Sequence, residues 1–382
     1  MSRRGPLAAF VGFGLLWGGW AALVPAVQDA VGATKGELGL AFLFIAVGSV
    51  PAMVLTGREL DRRGTRILPW LLVGAAGAAL LPAFVGSVPL LAAALLAVGA
   101  FSGATDVAMN AAVSELEARR EARLMQLAHA LYSAGLLVGA LAVGVARELG
   151  AGRGLVLAGL ALALLAAAAM NTGHERIAPR PRASRGPRVA RAAIPLGIAC
   201  AAAFVIEGGM ENWGAVFLER DLDASPGVSA LAPAAYGGAM MVGRLSGQWL
   251  ERRLGDAVLL AGAFAVARVG LVGAVAAPNV PFAIAAFFVG GAGISIAAPA
   301  LFGAGGRQAT REERGSAVAT VTTLGYLGFL VGPPIVGGLA ELFGLRAGFA
   351  ALALIAAGLV ASIPRLGLQG RVPGTDPGTR PV

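Results

Sequence analysis

Cysteine is almost missing from this 382-residue chain. Cys200 stands alone inside an apolar run, so no intramolecular disulfide can form, and a small buried side chain is all it offers. Histidine occurs twice and lysine once. No metal-ligand cluster, Ser/His/Asp set or phosphate-cradling loop stands out, which argues against an enzyme and leaves no cofactor to expect. Charge is scarce too: 13% of the residues are charged against 57% hydrophobic, and the mean hydropathy of +0.77 lies outside the range of soluble globular proteins. The net charge of +9 would suit a nucleic-acid partner, but the 29 arginines and one lysine form short clusters between apolar runs. No single basic face assembles, so nucleic acid is not expected as a partner. The composition places the chain in a lipid bilayer.

What is abundant is apolar sequence in lengths that fit a bilayer. A helix needs about 20 apolar residues to cross the hydrocarbon core, and twelve segments qualify: 6–28, 37–56, 67–85, 88–112, 125–146, 154–171, 192–218, 227–249, 257–276, 281–305, 316–340 and 347–364. The basic start and apolar stretch of MSRRGPLAAFVGFGLLWGGWAALVP resemble a signal peptide. The stretch is too long for one and lacks a small-residue cleavage site, so it reads as a retained first span. With an even number of spans both termini share a side. Twenty-four of the thirty basic residues fall on the side of the termini and five on the other, which places both termini in the cytoplasm and the chain in the inner membrane of a bacterium.

The expected fold is an all-α membrane protein of twelve transmembrane helices in two pseudo-symmetric six-helix bundles. Residues 1–171 form the first bundle, 172–191 (rich in Arg and Pro) a cytoplasmic linker, 192–364 the second bundle, and 365–382 a disordered tail. The halves carry a repeat. GRELDRRG at 57–64 returns as GQWLERRLG at 247–255: Gly57, Leu60, Asp61, Arg62 and Arg63 match Gly247, Leu250, Glu251, Arg252 and Arg253 at a constant offset, with Gly64 shifted by one against Gly255. Gly57 and Gly64 permit a tight turn and close helix approach in the expected loop between spans two and three. Asp61, ionised among arginines at the membrane edge, can sit at the positive N-terminus of a neighbouring helix.

The acid, arginine and glycine spacing, at half-chain repeat within a six-plus-six pattern, resembles the signature of the major facilitator superfamily, Gly-x-x-x-Asp-Arg-x-Gly. The resemblance covers essentially all twelve spans. It implies that Asp61 meets span eleven, near Ser316, in one transport state. A contact made in one state only biases the equilibrium between states, which makes Gly57, Asp61, Arg62, Gly64, Glu251 and Arg252 gating candidates. The alternative is a topology anchor.

Charges inside spans are costly and become functional candidates by default. Span four holds Asp106 and Asn110, span seven Glu207, Glu211 and Asn212, span five His129 and span nine Arg268. Asp106 and Asn110 are four apart and share a helix face, as do Glu207 and Glu211. The two glutamates can share a proton, as a proton-coupled carrier needs. The alternative is a static pair with Arg268 or His129. Arg268 itself reads as a structural ion pair. Asp106, Glu207 and Glu211 are the proton-coupling candidates, and Trp17, Trp20, Asn110, His129, Asn212 and Trp213 the substrate-binding ones. Trp17 and Trp20, beside Gly18 and Gly19, present flat faces suited to a sugar or another ring, unless they only pack. Tyr132, Tyr236, Phe302 and Tyr326 are weaker candidates, and Trp70 and Trp249 read as interfacial anchors.

Within the superfamily, Asp106-x-x-x-Asn110, LAHALYSAG (127–135), Trp213, GRLSGQWL (243–250) and APALF (298–302) resemble the fucose permease branch of sugar/proton symporters. In that branch the span-four acid is implicated in proton coupling, and His129 stands where it has glutamine. The chain departs from it at Ala21, where the permease has an acid four residues before the proline of span one. Span five lacks the proline of the drug/proton antiporter motif. The resemblance implies a monomeric, proton-coupled importer of a small polar solute, a sugar among the candidates. Proton-antiport efflux of an amphiphile is the alternative, and a sensor without transport activity a third.

Overall fold

A computed structural model describes residues 4–120, 124–172, 190–310 and 313–368, without the side chains of residues 118–120, Gln248 and Arg252. The expected linker falls largely on residues 173–189 and the tail on 369–382, outside the described residues. Fourteen helices are described, and they make twelve crossings. The first half holds α1 (Arg4–Val31), α2 (Lys35–Arg63), α3 (Leu68–Leu80), α4 (Val88–Arg120), α5 (Met125–Glu148) and α6 (Arg153–Met170). The second holds α7 (Ile194–Asp221), the single turn α8 (Pro226–Ser229), α9 (Leu231–Arg253), α10 (Asp256–Ala276), α11 (Val280–Ile294), α12 (Ala297–Gln308), α13 (Arg314–Phe343) and α14 (Leu345–Ser362). The tenth crossing is broken between α11 and α12, at Ser295 and Ile296, where an uninterrupted helix is expected.

Ten helical stretches are long and apolar enough to cross a membrane, and one of them, Lys35–Ala83, contains two crossings, α2 and α3. α9 is not among the ten. It carries Arg244, Ser246, Gln248 and a charged end, and its path beside the apolar crossings makes it the remaining span. Large apolar side chains such as Leu40, Phe84, Leu155, Val269 and Leu354 stand exposed on the outer faces, as they must where the solvent is hydrocarbon rather than water.

The repeat seen in the sequence governs the packing. α2 lies on α4 and α1 on α5, while in the second half α9 lies on α11 and α7 on α13. α3 against α6 likewise corresponds to α10 against α14. Two seams join the halves, α5 with α9 and α2 with α13, and the repeat converts each into the other. α2 and α9 also stop at the matched positions Arg63 and Arg253.

The basic cluster corrects an expectation. GRELDRR is not loop: α2 runs through it to Arg63, and the turn comes at Gly64, whose φ of +65° suits glycine. Gly57 lies inside that helix with open space around it, so neither a turn nor close packing requires glycine there.

Candidate functional site

The end where the chain starts, shared by the α2–α3 junction, is termed the near end, and the opposite one the far end. Between the halves lies a cavity of about 220 Å³ whose walls come from α1, α2, α4, α5, α7 and α13. Asp106 reaches it from about the middle of α4 and Glu211 from α7, so each half contributes one carboxylate. Trp17 and Asn212 also line it. Asn110 stands one turn nearer the near end than Asp106 and supports it from below, with Nδ2 donating to the Asp106 carbonyl oxygen (2.9 Å) and to Oδ1 (3.1 Å). Across the cavity the Tyr326 hydroxyl from α13 donates to Asp106 Oδ2 at 3.4 Å, a contact between the halves.

Four expected site residues lie elsewhere. Glu207 is one turn nearer the near end than Glu211 and does not line the cavity. His129 packs edge-on against Phe10, with ring centroids 5.2 Å apart, and its carbonyl oxygen accepts from the Ser133 hydroxyl. Trp20 and Trp213 are buried on either side of Phe42, at 6.4 and 6.0 Å between centroids. These three rings form a bridge between the halves, and the two tryptophans are buried and do not line the cavity.

The cation beside the glutamates is Arg244 of α9, neither Arg268 nor His129. The static pair expected with one of those two is not found among the described residues, and Arg244 acts on the glutamates through space without an ion pair. Arg244 Nη1 donates to Ser133 Oγ (2.8 Å) and the His129 carbonyl oxygen (3.2 Å), and its guanidinium lies 5.6 Å from the Tyr132 ring centroid. Arg268 stands exposed on the outer face of α10 with no ion pair to any described residue, so its expected structural pairing is not found. Aromatic residues that the sequence placed low or passed over make up much of the wall: Phe13, Phe42, Tyr132, Tyr326 and Phe329, with Phe329 stacked on Phe204 at 4.4 Å. Apolar rings at helical spacing signal packing in any membrane bundle, so nothing in the sequence marks these as lining a cavity.

The far end is tied shut by three consecutive residues at the end of α7. Glu219 takes a two-pronged ion pair from Arg147 of α5 (3.0 and 3.1 Å) with both side chains almost buried, and accepts the Ser229 hydroxyl at 2.8 Å. Arg147 also donates to the Ala22 carbonyl oxygen at 2.8 Å. Arg220 pairs with Asp29 (2.5 Å) and Asp221 with Lys35 (3.3 Å). Two backbone N–H groups add to the closure: Gly36 donates to Glu341 (3.2 Å) and Gly227 to Glu148 (2.7 Å). The α2–α13 seam is close enough here that a Cβ at Gly39 would stand 2.7 Å from the Pro333 carbonyl oxygen, and one at Gly337 2.7 Å from that of Lys35.

At the near end the described ion pairs stay within one half. Arg62 and Arg63 pair with Glu59 on their own helix. Arg307 of α12 joins Glu251 (2.8 Å) to Asp256 (2.9 Å). Asp61 is exposed and makes no hydrogen bond or ion pair with any described residue, and the side chain of Arg252 lies outside the described residues.

Comparison with known proteins agrees with this architecture. The family model of the Major Facilitator Superfamily matches residues 7–273 and 200–378. An uncharacterised transporter of that type from Yersinia pestis is 34% identical over 362 residues, covering 93% of each chain. The membrane protein MosC of Rhizobium meliloti is 28% identical over 91% of this chain and 85% of its own. Among solved structures, a mutant of the nucleoside transporter NupG superposes with a TM-score of 0.81 at 12% identity, covering 95% of this chain and 99% of its own. A bacterial homologue of the human lysosomal transporter Spinster, inward-facing and occupied, gives 0.70 at 15% identity over 94% and 96%. At these identities the two solved structures speak to the fold.

Proposed function

Since the chain belongs to the Major Facilitator Superfamily and is a membrane transporter rather than an enzyme, we propose that it carries a small polar solute, a sugar among the candidates, into the cell together with protons. The two six-helix halves rock about the central cavity. The observation that carries this reading is the cavity itself: it lies between the halves, takes Asp106 from one and Glu211 from the other, and is tied shut at the far end. A carboxylate in each wall gives a proton a place to bind that depends on how the halves meet.

The arginine bias supports a bacterial inner-membrane protein with the near end in the cytoplasm, so the described state faces inward. Asp61, with no partner among the described residues, then suits a latch that engages the start of α13 when the near end closes. The Asn110 support of Asp106 fits the sugar/proton symporter branch, and the likeness to a nucleoside transporter speaks to shape rather than cargo. Glu207, beside Arg244 and outside the cavity, would pass protons toward Glu211 rather than touch solute.

In proteoliposomes, an imposed pH gradient should drive concentrative uptake of a solute from a panel of sugars, polyols and carboxylates, and both Asp106→Asn and Glu211→Gln should abolish it. Uptake indifferent to the gradient would leave a facilitator. The largely aromatic wall favours a second reading, efflux of an amphiphile in exchange for protons. Everted vesicles separate the two, because an exchanger fills them with substrate as protons leave.

A further inference from the structure

The charges that reach the central cavity are of one sign. Asp106 and Glu211 face it from the two halves, and among the described residues no lysine, arginine or histidine lines it. Arg244, the cation beside Glu207 and Glu211, directs its Nη1 to Ser133 and the His129 carbonyl oxygen and lies beside the Tyr132 ring. Glu211 makes no hydrogen bond or ion pair with any described residue. A carboxylate inside a membrane is costly unless a proton or a cation meets it, and the side chains around this one supply no direct partner.

The remaining polar groups offer acceptors and neutral donors but no cation. Asn212 gives one N–H of Nδ2 to the Gly208 carbonyl oxygen (2.8 Å), which leaves Oδ1 and the second N–H free, and the Ser102 hydroxyl on the wall has no described partner. Ser49 directs its hydroxyl to the carbonyl oxygens of Ile45 (2.8 Å) and Gly99 (2.9 Å), which leaves its lone pairs. Aromatic rings fill much of the rest: Phe13, Trp17, Phe42, Tyr132, Tyr326 and Phe329. The face of an aromatic ring carries negative potential and attracts cations. An anionic solute would confront two carboxylates, and a neutral solute would leave Glu211 without a counter-charge.

We propose that the cargo is a small organic cation, a protonated amine on a compact ring or polyol scaffold, with its ammonium held by Glu211 and Asp106 and its apolar faces against the rings. At about 220 Å³ the cavity suits a metabolite-sized solute, since drug-sized pockets run to roughly 300–1,000 Å³. This inference rests on the reading of the cavity as the transport site.

The test uses matched sets at equal concentration: glucosamine, glucose and glucuronate, and cyclohexylamine, cyclohexanol and cyclohexanecarboxylate. Thermal stabilisation of the purified full-length protein is the readout, since a ligand stabilises by binding the folded state. Within a set the amine should raise Tm above the neutral and anionic members. Glu211→Gln should weaken amine binding at least tenfold, and Glu211→Asp should retain part of it. Asp106→Asn serves in the same way if the glutamine variant does not fold. The inference is overturned if a neutral or anionic member stabilises as well as its amine, if no amine stabilises, or if the amine effect survives both neutralising variants. Gradient-driven uptake of a neutral or anionic member would end it while leaving a proton-coupled transporter. Stabilisation by an amine that proteoliposomes never accumulate or expel would end the transporter reading and leave the cation site.

Discussion

The two ends of the molecule both lie between the same pair of repeated halves and are held in opposite ways. At the far end, Glu219, Arg220 and Asp221 each reach a charged partner in the other half. At the near end Asp61 has no partner among the described residues, and Arg307 binds Glu251 and Asp256 of its own half. The far end is therefore locked by ion pairs between the halves, whereas the described ion pairs of the near end stay within them and Arg244 reaches across only through neutral hydrogen bonds. A transporter of this architecture stores its state in that inequality, because contacts present in one arrangement alone set the balance between arrangements.

The sharpest way to break the inequality is to remove the buried clamp. Glu219→Ala leaves Arg147 nearly buried and unpaired, a loss of about 3–5 kcal/mol when one partner of such a pair is deleted. The far end should open, so that a cysteine at Phe42, in a background with Cys200→Ala, reacts with an impermeant maleimide added from the far side. The charge swap Glu219→Arg with Arg147→Glu should restore protection, and protection unchanged in Glu219→Ala would show that the clamp does not hold the state. Gly337→Val comes next. Its side chain must displace the Lys35 carbonyl, and overpacking of this kind costs about 1–3 kcal/mol. It should raise far-side labelling less than the clamp variant and slow transport severalfold.

The near end should respond less. Arg307→Ala removes two ion pairs that are largely exposed, worth at most about 1 kcal/mol together with their screening by water, so Tm should move by only a few degrees. Asp61→Asn should leave Tm and far-side labelling unchanged, because the side chain has no hydrogen bond or ion pair to a described residue in this state. Turnover should nevertheless fall severalfold if Asp61 latches the other state. A variant with full turnover would reduce Asp61 to an orientation anchor.

How the site could be read from the sequence differs residue by residue. Asp106 and Glu211 were legible because an ionisable group inside an apolar span is rare enough to mark itself. Asn110 was legible as the neighbour of Asp106 on one helix face, and in this structure it bonds Asp106 without lining the cavity. Arg244 was hidden, since the positive-inside pattern already explained an arginine near the end of a span. The Glu219, Arg220 and Asp221 clamp was hidden in the same way, as ordinary polar residues where a helix leaves the membrane. Trp20 and Trp213 looked like ring-binding residues, but both are buried beside Phe42 and bridge the halves.

Membrane residence, helical crossings and the duplicated plan were determined by the sequence alone. A bilayer demands a local property, some twenty apolar residues with every backbone group satisfied within the helix, and a local property is written in consecutive residues. Which carboxylates share the cavity, which cation stands beside them and which end is locked were decided only by the tertiary structure. Four residues along a helix shift a side chain by about 6 Å, enough to move Glu207 out of the cavity that Glu211 enters, and the partners that give each charge its meaning come from helices tens to hundreds of residues away.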